Sequence, residues 1–121
     1  MILFDTSIWV DHFRRRDPRL AALILDEEAA CHPYVLGELL LGGLPGESEA
    51  GELLYELPVP HVASAGEAET FIVEYELSGT GIGYVDAHLL LSARLTLSGQ
   101  VLTRDKHLHA QAERLGLAYT L

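Results

Sequence analysis

Short apolar runs alternate with longer amphipathic segments along most of this chain. The first unit is typical: residues 2–5 form an apolar run that ends in an acid, and Ile8, Trp9 and Phe13 then recur at helical spacing. This pattern predicts a strand, a turn and a helix. By the same criteria we predict further strands over residues 29–34, 58–62, 100–103 and 117–120, and helices after Pro18 and over residues 35–44, 47–57, 64–77, 84–97 and 106–115.

Strands separated by helices of this length pair in parallel through right-handed crossovers. The pattern therefore predicts an α/β fold, and because no repeat, linker or low-complexity stretch interrupts it, a single domain over residues 1–121. Leucines lie on every side of the segment 35–44, which predicts a buried helix. Ser64, followed three residues later by Glu67, predicts a capping box at the start of the helix 64–77.

The composition fits a folded protein, since 49% of the 121 residues are apolar and only 21% are charged. A chain of this size can bury a core without crosslinks. The single cysteine, Cys31, has no internal partner, which fits a reducing cytoplasm. An acid at Asp5, where a signal peptide would be basic or apolar, argues against secretion. Because Glu38 and Arg94 interrupt the longest apolar stretches, we also expect no membrane span.

The net charge of −10 constrains the partners of the protein. It repels phosphate at long range, so a nucleic acid must be held by local basic groups or by a metal ion. Arg104 and Lys106 flank Asp105, and a second basic group, Arg14, Arg15, Arg16 and Arg19, follows the first predicted helix. Contact with a nucleic-acid backbone and a favourable interaction with a helix C-terminus explain these residues about equally well.

Four acids stand apart from those on solvated helix faces. Asp5 and Asp105 follow predicted strands, where open α/β sheets bind their ligands. Glu38 and Asp86 lie within apolar segments. Taken singly, each has a structural explanation: capping for Asp5 and Asp105, the helix dipole for Asp86, and an ion pair for Glu38.

If the four acids converge, each close pair costs on the order of 4 kcal/mol at an effective dielectric constant of about 20. A divalent cation would compensate this repulsion. Ligands that are all oxygens suit Mg²⁺ or Mn²⁺. The histidines show no paired zinc spacing, and on a helix His88, two residues after Asp86, points away from the same pocket. We interpret His107 and His109 as exposed polar positions.

The segments around the four acids resemble those of PIN-domain ribonucleases, in particular the VapC-type toxins of bacterial toxin–antitoxin pairs. They read DTSIWVD at 5–11, GEL at 37–39, GYVDAHL at 83–89 and TRDKHL at 103–108. The resemblance implies a three-layer α/β/α PIN-like fold with a central, mainly parallel sheet. It also implies a metal-dependent endoribonuclease that acts as the toxin of such a pair, with one or two divalent ions in an acidic pocket.

By this resemblance Asp5, Glu38, Asp86 and Asp105 carry over as the catalytic and metal-binding acids. Ser7 and Thr103 are candidates to orient the carboxylates by hydrogen bonding, although ordinary turn and helix capping explains them nearly as well. We expect Arg104, Lys106, Arg14 and Arg15 to contact the RNA backbone.

The leucines between residues 36 and 57 offer more apolar surface than one small core requires. We expect more than half of it to be core. The resemblance implies that the remainder forms a homodimer face or a groove for a helix of a cognate antitoxin protein. An antitoxin arginine entering the acidic pocket would neutralise it or displace its metal.

Two other functions remain open. The first is a non-catalytic PIN-like binding module, in which the acids hold a structural ion or a basic peptide. The second is an aspartyl-phosphate phosphatase with Asp5 as nucleophile, which is weakened because Ser7 stands where that family would have a second aspartate.

Overall fold

A parallel sheet organises the protein, whose computed structural model describes residues 1–44, 46 and 48–121. The elements, in chain order, are β1 (Ile2–Phe4), α1 (Thr6–Arg14), α2 (Pro18–Leu25), β2 (Ala29–Ala30), α3 (Pro33–Leu41), α4 (Glu49–Glu56), α5 (Ala65–Glu74), α6 (Tyr84–Leu95), β3 (Gln100–Leu102) and α7 (Lys106–Arg114).

The strand order is β2-β1-β3, and both pairings are parallel, as the alternation of strands and helices predicts. Ile2 pairs with Ala29 on one side and with Gln100 on the other. Because parallel strands end at the same edge, the residues that follow β1 and β3 are brought together. The backbone N–H of Asp5 donates to the carbonyl of Leu102 at 3.1 Å across this edge.

The helices begin where the sequence supplies side-chain caps. The Asp5 carboxylate accepts from the Ile8 N–H and so caps α1, and Asp105 caps α7 in the same way. The predicted capping box of α5 is confirmed, with both Ser64–Glu67 hydrogen bonds present.

The buried helix is α6, and the prediction of a buried helix over residues 35–44 was wrong. In α3 only Val35 and Leu39 are buried, and Leu41 is 91% exposed. In α6 seven successive residues, from Ala87 to Ala93, are buried. The leucine-rich pattern marks apolarity on all sides, but α3 packs by one face against α1 and leaves its C-terminal leucines outside the core.

Three of the predicted strands are shorter than expected or absent. Residues 58–62 form no strand, since Pro58 and Pro60 lack the N–H needed for a ladder. The strand predicted over 29–34 stops at Ala30 because Pro33 starts α3. Of the strand predicted over 117–120, a single parallel bridge joins Ala118 to Val101.

Two further predictions concern the start of α4 and membrane spans. The predicted start of the fourth helix at Glu47 lies outside the described residues. Within the part of the chain that is described, no helix has the length and apolarity to cross a bilayer.

The buried imidazole of His32 makes the fold sensitive to acid. Its Nδ1 accepts the Tyr34 N–H at 3.0 Å and so caps α3. Burial, and secondarily the neighbouring His88, lowers the pKa of His32 to about 4. In the unfolded chain the pKa is about 6.5, so only the unfolded state gains this proton between the two values, and stability falls as the pH drops from about 6.5 towards about 4.

We predict that His32→Asn removes this part of the acid sensitivity, because asparagine also caps helices but does not titrate. Urea unfolding of both proteins at about pH 7 and about pH 5 measures it, and the wild type should lose up to about 2 kcal/mol more than the variant. Equal losses in the two proteins would contradict the prediction.

Candidate active site at the edge of the sheet

Asp5, Glu38, Asp86 and Asp105 line one cavity of about 210 Å³ at the carboxyl ends of β1 and β3. Asp5 and Asp105 follow the two strands, Glu38 comes from α3, and Asp86 lies in the first turn of α6. The structure thus brings together four acids from segments that are distant in the sequence. The remaining lining residues are Thr6, Ser7, Val35, Val85 and Leu89.

Asp5 is the most tightly held of the four acids. Its Oδ1 accepts hydrogen bonds from the Ser7 hydroxyl at 2.7 Å and from the Ile8 N–H at 3.1 Å. Its Oδ2 accepts from the hydroxyl of Thr103. The same Thr103 oxygen accepts the Asp105 N–H at 3.0 Å, so Thr103 connects two of the acids. Both Ser7 and Thr103 are placed to orient Asp5.

The other three acids each use one carboxylate oxygen within the protein. Glu38 Oε1 accepts from the Thr6 hydroxyl at 2.7 Å, and Asp86 Oδ2 accepts from the Gly83 N–H at 3.0 Å. Asp105 Oδ1 accepts from the first-turn N–H groups of α7. Among the described residues, the second oxygen of each carboxylate receives no hydrogen bond, so these contacts occupy only one oxygen of each group.

Thr6 is a residue of this site that the sequence analysis missed. Its hydroxyl reaches Glu38, which is 32 positions away along the chain. Its place directly after Asp5 was the only local signal, and that position predicts a helix start rather than a contact with α3.

The electrostatics of the cavity favour a bound cation. Burial raises the pKa of Asp86, and the charges of Asp5, Asp105 and Glu38 raise it further, while the hydrogen bond from Gly83 opposes the rise. No lysine or arginine is found among the described residues that line the cavity. The four carboxylates and two hydroxyls of this lining, without a basic partner, form a donor set of the kind that hard divalent cations prefer.

The carboxylates do not form a closed cage around a common point. In the described part of the chain, no three acidic, histidine or cysteine side chains are arranged to hold a metal ion directly. An ion such as Mg²⁺ normally keeps several of its waters and uses only one or two carboxylates. The donor chemistry therefore fits a divalent ion held partly through water.

A basic cavity of about 520 Å³ lies next to the end of α1. Arg14, Arg15, Arg16 and Arg104 line it, together with Asp11 and Asp17. Arg104, from the loop before α7, forms an ion pair with Asp11 of α1. Four of the eight lysines and arginines of the chain thus meet at one place. Lys106 is exposed but is not among the residues that line this cavity.

His88 is placed away from the acidic cavity. It is fully buried, and neither ring nitrogen has a hydrogen-bond partner among the described residues. His107 is exposed, and its ring covers Gly81, where an added Cβ would lie 3.1 Å from ring atoms. Gly81 has a φ of +86°, a backbone conformation that favours glycine.

Comparisons with known proteins identify the family of this chain. The family model described as the PIN domain matches residues 2–114. Ribonuclease VapC32 of Mycobacterium tuberculosis, from strains CDC 1551 / Oshkosh and ATCC 25618 / H37Rv, is 41% identical over 118 residues, which cover 98% of this chain and 95% of the relative.

The crystal structure of PAE2754 from Pyrobaculum aerophilum superposes with a TM-score of 0.60 over 93% of this chain and 79% of that one, at 17% identity. This likeness concerns the fold alone. The chain belongs to the PIN-domain family and, within it, is a homologue of VapC-type ribonucleases.

Proposed function

We propose that this protein is a metal-dependent endoribonuclease that acts as the toxin of a toxin–antitoxin pair in the cytoplasm. The observation that carries the proposal is the meeting of four carboxylates in one cavity whose described lining contains no basic residue. Two findings support it: the named ribonuclease that is 41% identical over nearly the whole chain, and the general dependence of PIN-domain ribonucleases on divalent metal ions.

Asp5, Glu38, Asp86 and Asp105 would hold Mg²⁺ or Mn²⁺, directly or through water. Such an ion, when bound, activates water as a nucleophile and stabilises negative charge on a phosphodiester. The hydroxyls of Ser7 and Thr103 fix the direction of the Asp5 carboxylate, and the hydroxyl of Thr6 does the same for Glu38. Asp5 thus presents a fixed carboxylate and needs little rearrangement to take part.

The attacking water must give up a proton during hydrolysis. Glu38 Oε2 and Asp105 Oδ2 are suited to accept it, since neither oxygen receives a hydrogen bond from the described residues. Arg104 and Lys106 stand on either side of Asp105, and Arg14 and Arg15 lie beyond Arg104 along the basic cavity. These four side chains would hold the phosphates that flank the cleaved bond.

The test is cleavage of total RNA by the isolated chain, with and without EDTA. We expect cleavage with Mg²⁺ or Mn²⁺, its loss with EDTA and its return on adding back the metal, with the ends mapped by sequencing. Inhibitor-free protein that cleaves no RNA with either metal would instead support a non-catalytic binding module.

A generic phosphomonoester substrate tests the phosphatase alternative. We expect no turnover, because both oxygens of Asp5 already accept hydrogen bonds and the residue is poorly placed to act as a nucleophile.

The basic cavity gives a prediction about salt. Replacing Arg14 or Arg15 by alanine is expected to raise KM for an RNA oligonucleotide and to reduce the slope of log(kcat/KM) against log[salt] by about 0.7 per lost phosphate contact. Steady-state cleavage over a range of salt concentrations measures this slope. Arg94→Ala is the matched control. It also removes one positive charge, but from the last turn of α6, whereas Asp86 of the acidic cavity lies in the first turn of that helix. An equal change of slope in the control would contradict a specific role for the cavity.

Protein partners are the last part of the proposal. Leu40 and Leu41 leave an exposed apolar surface at the end of α3, which suits a homodimer contact or an antitoxin helix. An antitoxin arginine in the acidic cavity would satisfy its carboxylates in place of the metal ion, so inhibition should weaken as the metal concentration rises.

A further inference from the structure

Two partly exposed tyrosine rings pack against one buried histidine ring. The ring centroids of Tyr34 and Tyr84 each lie 4.7 Å from that of His88, in edge-on geometry. His88 is fully buried, whereas Tyr34 is 40% and Tyr84 50% exposed. The ring of His32 also packs edge-on against Tyr34, with the two ring centroids 4.8 Å apart. Each tyrosine ring therefore exposes part of its surface to solvent and also packs against the buried ring of His88.

This pair of rings belongs to α3 and α6, the two helices that supply Glu38 and Asp86 to the acidic cavity. Tyr34 directly precedes Val35, and Tyr84 directly precedes Val85, and both valines line that cavity. Tyr34 and Glu38 are also four residues apart on α3, so they share one face of the helix. Neither tyrosine is among the described residues that line the cavity, but Tyr34 lies one helical turn from Glu38, and Tyr84 lies in the first turn of α6 together with Asp86.

Tyr84 also borders a second recess. A cavity of about 300 Å³ is lined by Tyr84 together with Leu77, Ile82 and Gly83. Its walls are largely apolar, and the loop that forms one side carries glycines at positions 79, 81 and 83. A planar apolar group that contacts Tyr84 would find space next to it.

We propose that Tyr34 and Tyr84 form an aromatic platform that stacks on unpaired bases of the RNA next to the cleaved bond. The platform rests on the proposed ribonuclease function and deepens it, because it names the residues that would hold a base next to the cleaved bond. With a net charge of −10, the protein gains little from general attraction to phosphate. Stacking does not depend on that charge, and single-stranded RNA is recognised largely by bases stacked on aromatic side chains.

The test uses Tyr34→Leu and Tyr84→Leu, each with a phenylalanine counterpart that keeps the ring. For a single-stranded oligonucleotide with a mapped cleavage site, each leucine variant should raise KM by about 5- to 100-fold, with kcat within about 2-fold of wild type. The phenylalanine variants should keep the wild-type KM. Tyr55→Leu is the control, because Tyr55 is 62% exposed on α4 and lines neither cavity.

A second measurement identifies the stacked base. Removing the base on one side of the cleaved bond should raise KM for the wild type but have no further effect on the matching leucine variant. If a leucine variant folds poorly, abasic substrates tested on the wild type decide the question alone. Wild-type protein that cleaves every abasic substrate as well as the intact one would overturn the platform.

Two other results would also overturn it. One is an unchanged KM in leucine variants that melt like the wild type. The other is a change in oligomeric mass or antitoxin binding with no change in KM, which would assign the tyrosines to a protein interface. Failure of the underlying function is distinct, since wild-type protein would then cleave no RNA at all.

Discussion

Asp86→Asn is expected to lower RNA cleavage by on the order of 10³-fold, because a catalytic metal ion contributes several kcal/mol and each 1.4 kcal/mol is a factor of ten in rate. Asp86 is the best acid for this test. An asparagine amide oxygen can still accept the Gly83 N–H, so the capping of α6 should persist. Metal-dependent cleavage of a defined RNA measures the loss.

The same variant should fold at least as well as the wild type when no metal is present. Burial and the three neighbouring acids raise the pKa of Asp86, so its ionised form destabilises the folded state at neutral pH. Removing that charge should raise the melting temperature in EDTA.

Glu69→Gln on α5 is the control, because it removes one negative charge from an exposed position. It should leave both cleavage and the melting temperature unchanged. Asp5→Asn should abolish cleavage as well but should also lower stability, since an amide NH₂ would face one of the hydroxyl or N–H donors that now hold Asp5. Full activity in Asp86→Asn would remove the metal-site hypothesis.

Gly99→Ala is expected to lower the free energy of unfolding by about 3 kcal/mol or more, or to prevent folding. A Cβ at Gly99 would overlap the carbonyl oxygen of Ala93 and lie 2.8 Å from its carbonyl carbon. Both of these are backbone atoms of the last turn of α6, so either that turn or the segment that leads from it to β3 would have to move. Because α6 lies against β3 and β1, the displacement would disturb the core.

Urea unfolding and thermal melting measure this effect. Gly37→Ala is the matched control, since an added Cβ there has no neighbour within 4 Å among the described residues. Gly37 lies inside α3, where alanine should stabilise the helix by about 0.5–1 kcal/mol relative to glycine. A Gly99→Ala protein within about 0.5 kcal/mol of the wild type would contradict the close approach of Gly99 to the last turn of α6.

Local interactions along the chain suffice for much of the secondary structure. The helix starts at Asp5, Ser64 and Asp105 follow from caps that bond to N–H groups two or three residues away. The parallel sheet follows from the alternation of strands and helices, because the connections are too long for hairpins. The four candidate acids, too, stand out by their position in the sequence, although their assignment to a metal site rests on the family resemblance.

Contacts between distant segments decide the rest. Leucine content does not show that α6 is more deeply buried than α3. Burial depends on how many sides of a helix are covered by other elements, and α6 is covered by β1, β3 and α5. Thr6 reaches Glu38, and Tyr34 and Tyr84 meet on His88, only because α1, α3 and α6 converge at one edge of the sheet. A sequence pattern reports neighbours within a few residues, whereas helix packing fixes side chains that are 30 to 100 residues apart, and the candidate site is built from such pairs.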